Sequence, residues 1–317
     1  MESGFTVMDK AYVEENLDMR TCIRTMEKVL CQIEHGECVQ SLRTVVGLPG
    51  GNVMGFMPAY LTDGFFGAKI LSVYPANSQE GYPSHQGQVL LFEMEHGRVV
   101  ASVDANAVTK IRTGAVSAVA SKYLANADSR VLAILGTGEQ AESHLEAMLE
   151  VFPLERVKIW GRSSEKARKL AETYRLKYKV AIEACQNVQE AVADADIVCT
   201  VTSSKTPILQ CAWLKKGAHV NLVGACTAAA RECDSDVIVN GKVFGDSKES
   251  VFKESGDFLI PLNEGRITES HFRGTIGQVI SGAISGRSSR DELTVFDALG
   301  IAGEDIASAA SLYLKRK

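Results

Sequence analysis

Short apolar runs alternate with helical segments through the middle of the chain, and this alternation restricts the fold more than any other feature of the sequence. The strand-like runs are 130–135, 157–160, 197–201 and 219–223. Helical spacing of apolar residues lies between them, first in 139–151 and then in 164–174. Strands that alternate with helices of this length are typical of a parallel sheet with helices on both faces. The pattern therefore predicts an α/β fold with a doubly wound parallel sheet.

A glycine-rich turn follows the first of these strands. It consists of Gly136, Thr137, Gly138, Glu139, Gln140 and Ala141, a GxGxxA pattern that opens a helix. The two glycines permit a tight turn and let backbone N–H groups approach a pyrophosphate at the positive end of the helix dipole. These residues could also form an ordinary strand-to-helix turn, but the surrounding βαβ unit favours a Rossmann dinucleotide site.

The end of the second strand indicates which dinucleotide is bound. NAD-specific sites usually carry an acidic residue there, which holds the ribose 2′-hydroxyl. This chain instead has an arginine and two serines, which suit a 2′-phosphate. The arginine could also be a solvated loop charge, and an acid three residues after it leaves the choice of dinucleotide open. We therefore predict NADPH, with NADH possible. The candidate cofactor contacts in this region and after the next two strands are Gly161, Arg162, Ser163, Thr202 and Val223.

The N-terminal part has a different pattern. Helical spacing covers the first 40 residues, short β-like runs punctuated by glycine cover 43–104, and a helix follows at 105–125. The β-like runs predict an antiparallel sheet within an α+β domain. Because 317 residues exceed what one compact core usually holds, we expect two domains with a boundary near 120–128.

Composition excludes several classes of protein. The net charge of −5, from 34 Lys+Arg and 39 Asp+Glu without a long basic run, argues against nucleic acid as a partner. We see neither a leader peptide nor an apolar run of about 18 residues, so we expect no membrane association. Eight cysteines without a CxxC pair indicate reduced thiols in a cytoplasmic protein, and their spacing predicts no metal site.

Three cationic residues stand out because their neighbours are apolar: Arg43, Lys69 and Arg112. A lysine midway along a strand can simply face solvent, since alternate side chains point to opposite faces. Taken together, however, the three cations could clamp a carboxylate, because guanidinium groups match its geometry.

Six short segments together resemble the ornithine cyclodeaminase and mu-crystallin family of nicotinamide-dependent enzymes. In chain order they are GFMPAY at 55–60, GAK at 67–69, PSHQG at 83–87, IRTGAVS at 111–117, LGTGEQA at 135–141 and GDFLIP at 256–261. The resemblance implies a homodimer whose N-terminal domain supplies the substrate pocket and the dimer sheet. It also implies that a last helix, at about 300–317, rejoins that first domain (1–122), while 123–299 form the Rossmann domain.

The resemblance also assigns roles to individual residues. It implies that Arg43, Lys69 and Arg112 hold the substrate carboxylate and that Thr113 lies near the cofactor phosphates. Cyclodeaminases carry an aspartate, which assists ring closure, where this chain has Cys226. A thiol with a pKa near about 8.5 offers no permanent anion at neutral pH, so we do not expect cyclodeamination. The mu-crystallin branch, which resembles ketimine reductases, also lacks this aspartate.

Two further residues are candidates for the catalytic site. His85 could donate a proton or orient a substrate carbonyl, because histidine titrates near neutrality, or it could be structural. Cys226 could instead be a small packing residue behind the nicotinamide.

The sequence thus predicts an oxidoreductase that reduces small imine or ketimine carboxylates, such as Δ1-pyrroline-2-carboxylate, to amino acids. The alternatives are an alanine or arginine dehydrogenase, an ornithine cyclodeaminase, and an NADPH-binding crystallin-like protein without turnover.

Overall fold

The structure is a computed structural model that describes residues 4–316. The chain divides into two compact units, which are described separately. Unit 1 comprises Met1–Arg112 and Gly300–Lys317, and unit 2 comprises Thr113–Leu299. Unit 2 is therefore inserted, in sequence, between the two segments of unit 1.

Unit 1 contains a seven-stranded sheet in the order β1-β7-β6-β5-β4-β2, with β3 also paired to β4. The pairs are antiparallel, apart from β1 with β7. The strands are β1 (Thr6–Met8), β2 (Cys38–Gln40), β3 (Thr44–Leu48), β4 (Asn52–Leu61), β5 (Phe65–Val73), β6 (His85–Glu93) and β7 (Val99–Asp104). The helices are α1 (Lys10–Asn16), α2 (Met19–Glu34), α3 (Ala105–Leu124), which continues into unit 2, and the C-terminal helix (Ala302–Arg316).

The core of unit 1 lies between one face of this sheet and two helices. Along β4, Met57, Ala59 and Leu61 are buried while Met54 and Phe56 are exposed, the two-residue alternation of a sheet with one covered face. The C-terminal helix packs against α2, β4 and β5. It is buried at nearly every position from 302 to 313, so this helix lies inside the core of unit 1.

Unit 2 contains an eight-stranded parallel sheet in the order β10-β9-β8-β11-β12-β15-β13-β14. Its strands are β8 (Val131–Leu135), β9 (Arg156–Trp160), β10 (Ala181–Ala184), β11 (Ile197–Thr200), β12 (His219–Leu222), β13 (Lys242–Gly245), β14 (Phe272–Thr275) and β15 (Thr294–Asp297). Its helices are α4 (Glu139–Val151), α5 (Ser164–Lys177), α6 (Val188–Val192), α7 (Ser235–Asn240), α8 (Lys248–Glu254), α9 (Gly256–Asn263) and α10 (Ile276–Ile280).

The strand order of unit 2 identifies its ligand-binding edge. The chain runs outward from β8 to β9 and β10, then returns to place β11 and β12 on the other side of β8. Ligands of such sheets bind beyond the carboxyl ends of the strands, where this order reverses. The predicted α/β fold with a Rossmann-type parallel sheet is confirmed, and the loops after β8, β9, β11 and β12 are where a cofactor site is expected.

Within the part of the chain that the structure describes, no helix combines the length and the apolar character needed to span a bilayer. Even α3, with 20 residues, carries the charged side chains of Lys110, Arg112 and Lys122.

Candidate active site and cofactor site

At the first position of the glycine-rich turn, the backbone conformation and the space available permit only glycine. Gly136 has φ +145°, and a Cβ there would lie 2.6 Å from the carbonyl oxygen of Val201. Gly138 precedes α4, and a Cβ built on it would have no described heavy atom within 4 Å. Among the described residues no side chain caps the start of α4. The turn therefore leaves both space and first-turn N–H groups for a phosphate, as a dinucleotide requires.

The turn lies directly against the end of β9. The backbone N–H of Gly136 donates to the carbonyl oxygen of Trp160 at 2.8 Å. A Cβ on Gly161 would come within 2.5 Å of Thr137 Cγ2, so only glycine permits this approach. The two predicted cofactor segments are thus adjacent in unit 2.

The residues expected to select the dinucleotide follow at once. Arg162 and Ser163 are both exposed. Ser163 caps α5, and its Oγ accepts a hydrogen bond from the Lys166 N–H at 3.3 Å. An exposed guanidinium and a serine hydroxyl beside the glycine turn are suitable donors for a phosphate on the adenosine ribose.

The loops after β11 and β12 are joined by a buried acid that the sequence did not reveal. Glu232 is fully buried, and its Oε1 accepts hydrogen bonds from the N–H (2.8 Å) and the hydroxyl of Thr202. Its Oε2 accepts from the Thr200 hydroxyl at 2.7 Å and from the Gly224 N–H at 2.7 Å. Burial raises the pKa of Glu232, although these four donors oppose that effect. Glu232 thereby fixes Thr202, which is a predicted cofactor contact. It also fixes the backbone of Gly224, which directly follows the second predicted contact, Val223.

Thr113 precedes the residue at which α3 approaches α4. A Cβ on its neighbour Gly114 would come within 2.4 Å of Ser143 Oγ, so α3 and α4 approach closely at this point. Thr113 itself is buried. Its place near the cofactor phosphates stays a prediction.

Cys226 occupies the loop after β12, two residues beyond Gly224. Its thiol is exposed. The exposed thiol follows the segment that Glu232 anchors, on the same edge of the sheet as the glycine turn.

The three candidate carboxylate ligands come together in unit 1, where two of them are nearly inaccessible. Lys69 on β5 is 3% exposed and Arg112 on α3 is 4% exposed. The carboxylate of Asp305 bridges them, with Oδ2 at 2.7 Å from Lys69 Nζ and Oδ1 at 3.1 Å from Arg112 Nε. Arg112 also pairs with Glu304 at 2.8 Å. The structure therefore adds two buried acids to the predicted cations.

Arg43 joins this group through the backbone. Its guanidinium donates to the carbonyl oxygen of Gly300 at 2.9 Å. Gly300 has φ +73°, and a Cβ there would lie 2.8 Å from a terminal nitrogen of Arg112. Glycine at this position allows the backbone to approach both arginines, so Arg43, Lys69 and Arg112 form one cluster, which we call the cation cluster.

Electrostatics within the cation cluster are tightly balanced. Burial lowers the pKa of Lys69, Arg112 and Arg43 lower it further, and Asp305 opposes this change. Burial alone would raise the pKa of Asp305, but Lys69 and Arg112 outweigh burial and hold that pKa below its usual value. An ionised Asp305 facing a protonated Lys69 is the arrangement that satisfies both groups.

His85 is not part of the cation cluster. It begins β6 and pairs with Val73, whereas Lys69 pairs with Val89, four residues farther along both strands. That offset corresponds to about 13 Å along the sheet. His85 is exposed, and its Nδ1 lies 3.0 Å from the hydroxyl of Ser84.

One exposed group of potential metal ligands has a structural explanation. Glu93, Glu95 and His96 bring one ligand atom each within 4.8 Å of one another. The Glu93 carboxylate, however, accepts hydrogen bonds from the His96 N–H at 3.0 Å and from Arg98 Nε at 3.0 Å. The His96 N–H is the main cause that lowers the Glu93 pKa to about 2. The group therefore closes the turn between β6 and β7.

Comparisons with known proteins agree with this geometry. Ketimine reductase mu-crystallin of Mus musculus is 39% identical over 280 residues, 88% of this chain and 85% of the relative. The structure of Thermococcus litoralis Δ1-pyrroline-2-carboxylate reductase with NADH and L-proline matches with a TM-score of 0.94 at 33% identity, covering 98% of this chain and 96% of that one. An archaeal alanine dehydrogenase dimer with bound NAD matches with a TM-score of 0.92 at 28% identity, covering 97% and 94%.

The relatives agree in their class of chemistry, and this chain is an NAD(P)-dependent oxidoreductase that acts on carbon–nitrogen bonds. The family described as ornithine cyclodeaminase/mu-crystallin matches residues 5–317, which is almost the whole sequence. The chain belongs to the ornithine cyclodeaminase/mu-crystallin family.

Proposed function

We propose that this enzyme reduces the C=N bond of a small cyclic imine carboxylate, such as Δ1-pyrroline-2-carboxylate, to the corresponding amino acid. The observation that carries the proposal is the cation cluster, in which Arg43, Lys69 and Arg112 converge within unit 1. A ketimine reductase at 39% identity and a solved pyrroline-2-carboxylate reductase with bound NADH and L-proline support the same chemistry.

The residues of the chain contribute orientation and charge. Arg43, Lys69 and Arg112 bind the carboxylate and so fix the adjacent imine carbon in one place, which lowers the entropic part of the barrier. Their positive field also favours electron flow toward the imine. A nicotinamide cofactor, when bound, supplies the hydride that this carbon accepts. The Gly136–Gly138 turn and the loop at Thr202 would hold that cofactor in unit 2.

The preferred cofactor is NADPH. Arg162 and Ser163 supply a cation and a hydroxyl where an acid would be needed for the ribose 2′-hydroxyl. Both side chains are exposed beside the glycine turn, so they are free to contact a ribose 2′-phosphate. NADH is the weaker alternative.

The enzyme works as a homodimer in this proposal, because unit 1 has an apolar sheet face without a described cover. Met54, Phe56 and Ile70 are exposed on neighbouring strands, and Phe56 is directly paired with Ile70. Val46, paired with Met54, extends the exposed face to β3. Contiguous apolar area of this kind usually marks a protein interface. A second copy of unit 1 would cover it, and the dimer reported for the related alanine dehydrogenase supports this occupant.

A turnover assay tests the proposed reaction. We would follow NADPH, and separately NADH, by absorbance with cyclic ketimine carboxylates, with 2-oxo acids plus ammonia, and with ornithine alone. We expect oxidation of NADPH with a cyclic ketimine and formation of the cyclic amino acid. Oxidation only with 2-oxo acids plus ammonia would instead assign an amino-acid dehydrogenase. Ammonia release from ornithine without net cofactor change would assign a cyclodeaminase, and cofactor binding without any turnover would assign a binding protein.

A further inference from the structure

Two neighbouring acids at the start of the C-terminal helix both contact Arg112, and one of them also contacts Lys69. Asp305 contacts both Lys69, at 2.7 Å, and Arg112, at 3.1 Å. Glu304 contacts Arg112 at 2.8 Å, and its Oε2 also accepts the Ile301 N–H at 3.4 Å. Both carboxylates are fully buried. The described ion pair of Glu304 is with the Arg112 guanidinium, whereas Asp305 also contacts the Lys69 ammonium group, and this difference can be tested.

Lys69 helps to bind an anion only while it is protonated. The carboxylate of Asp305 lies 2.7 Å from Lys69 Nζ and 3.1 Å from Arg112 Nε, so it holds these two cations side by side. A buried ammonium group without a charged partner is strongly unfavourable, and Asp305 supplies such a partner.

We propose that Asp305 is a positioning residue, whose carboxylate orients the Lys69 ammonium group beside Arg112 and keeps it charged, so that the cation cluster binds a monocarboxylate into the alkaline pH range. The inference rests on the proposed function, since it takes the cation cluster as the substrate carboxylate site. Neither the predicted catalytic set nor the relatives' activities assign this role to Asp305.

The groups that face Lys69 determine the direction of the effect. Asp305 on the C-terminal helix favours the charged lysine, whereas Arg112 on α3 and Arg43 between β2 and β3 oppose it. The nearby thiols of Cys22 and Cys38 have pKa values of about 12, raised by burial, and are neutral. If Asp305 loses its charge, the main influence that favours the charged lysine is gone, while burial and two guanidinium groups still disfavour it. Its pKa then falls further, and the lysine loses its proton at a lower pH.

The experiment measures binding of pyrrole-2-carboxylate, a planar cyclic monocarboxylate, to the full-length protein with NADP⁺ present. Calorimetry from about pH 6 to about pH 10 gives the pH at which affinity falls. We expect this midpoint to move down by about one pH unit or more in Asp305→Asn, which at pH values above the wild-type midpoint weakens binding about tenfold. Asp305→Glu, which retains the charge, should restore much of the shift.

Glu304→Gln is the matched control, because Glu304 contacts the guanidinium of Arg112, which does not titrate in this range. We expect it to change affinity at all pH values alike and to leave the midpoint in place. Equal midpoint shifts in Asp305→Asn and Glu304→Gln, or no shift in Asp305→Asn, would overturn the role of Asp305.

A second variant keeps the proposal testable if Asp305→Asn fails to fold. Lys69→Arg replaces the titrating cation by one that stays charged, so the alkaline loss of affinity should disappear. Retention of the wild-type midpoint in Lys69→Arg would contradict the proposal. A wild-type protein that binds no pyrrole-2-carboxylate at any pH would overturn the proposed function as well, whereas normal binding with unchanged midpoints overturns the role of Asp305 alone.

Discussion

The exposed guanidinium of Arg162 offers a test of cofactor choice at a single residue. Arg162→Ala should raise the KM for NADPH about 10- to 100-fold, because a hydrogen bond to a charged group is worth about 1.5–3 kcal/mol. The KM for NADH should stay nearly constant, since that cofactor lacks the 2′-phosphate. Steady-state kinetics with both cofactors gives the two values.

The control for Arg162→Ala is Arg168→Ala, which removes another exposed arginine, on α5. It should alter neither KM by more than about twofold, the size expected for a screened surface charge. Equal losses with NADPH and NADH in Arg162→Ala would contradict its role as a phosphate ligand.

A second prediction concerns Asp257, whose Oδ1 accepts the backbone N–H groups of Glu232 at 3.0 Å and Cys233 at 2.9 Å. Burial, with a contribution from Glu232, raises the pKa of Asp257 to about 7. The folded protein therefore retains a proton on Asp257 that the unfolded chain has lost. Its contribution to stability is present below about pH 4 and is lost as the pH rises toward 7, with a slope of up to about 1.4 kcal/mol per pH unit.

Asp257→Asn should therefore flatten the fall in the free energy of unfolding between about pH 5 and about pH 7, because the amide retains the acceptor oxygen and does not titrate. Denaturant unfolding at both pH values measures the change. Asp128→Asn, at an exposed site, should leave the slope as it is in the wild type. A slope in Asp257→Asn as steep as that of the wild type would assign the pH dependence to other buried acids.

At the scale of single residues, the sequence indicated the three cations of the cation cluster but not their acidic partners. Lys69 and Arg112 attracted attention because apolar residues surround them, and the family resemblance grouped them with Arg43. Asp305 and Arg112 are 193 residues apart in the chain, and no local pattern links them. Glu232 was missed for the same reason, since its role depends on two loops that meet only in the folded sheet.

At the scale of elements, the exposed face of β4 and β5 makes a prediction about assembly. Phe56→Glu places a charge at the middle of the apolar face, next to Ile70. If a second copy covers this face, burial of that charge is costly, and the molecular mass should fall from about twice 34.2 kDa to that of one chain. Light scattering coupled to size exclusion measures the mass.

Leu176→Glu provides the comparison, because Leu176 on α5 is 91% exposed and lies outside the sheet face. It should leave the mass unchanged. A wild-type protein that already elutes as a monomer would refute the homodimer, whatever the variants do.

Strand ends show where sequence patterns were insufficient. The apolar runs at 53–57 and 68–73 indicate strands within these bounds, but β4 extends to Leu61 and β5 begins at Phe65. Pro58 and Gly67 therefore lie inside strands. A Cβ on Gly67 would lie 2.0 Å from the carbonyl oxygen of Leu90, so this glycine permits close approach of strands rather than ending one. By contrast, α4 occupies 139–151 as predicted, because its start is defined by the glycine turn.

At the scale of the whole molecule, the parallel sheet of unit 2 was predictable because each βα repeat carries its own local pattern. Periodicity did not indicate that two distant segments of the chain together form unit 1. Only the family resemblance implied that a last helix rejoins the first domain. The boundary between unit 1 and unit 2 falls within α3, between Arg112 and Thr113. One continuous helix therefore carries a predicted carboxylate ligand and a predicted cofactor contact on consecutive residues.

The C-terminal helix has a consequence for biosynthesis. The strands of unit 1 emerge from the ribosome before those of unit 2. The C-terminal helix, which carries Glu304 and Asp305 and fills the core of unit 1, is translated only after all of unit 2. Until then Lys69 and Arg112 lack their acidic partners, and the apolar side chains under β4 and β5 lack their cover. We expect unit 2 to fold during translation and unit 1 to complete folding only after the last helix leaves the ribosome, so that the early sheet is the segment that most needs chaperone protection.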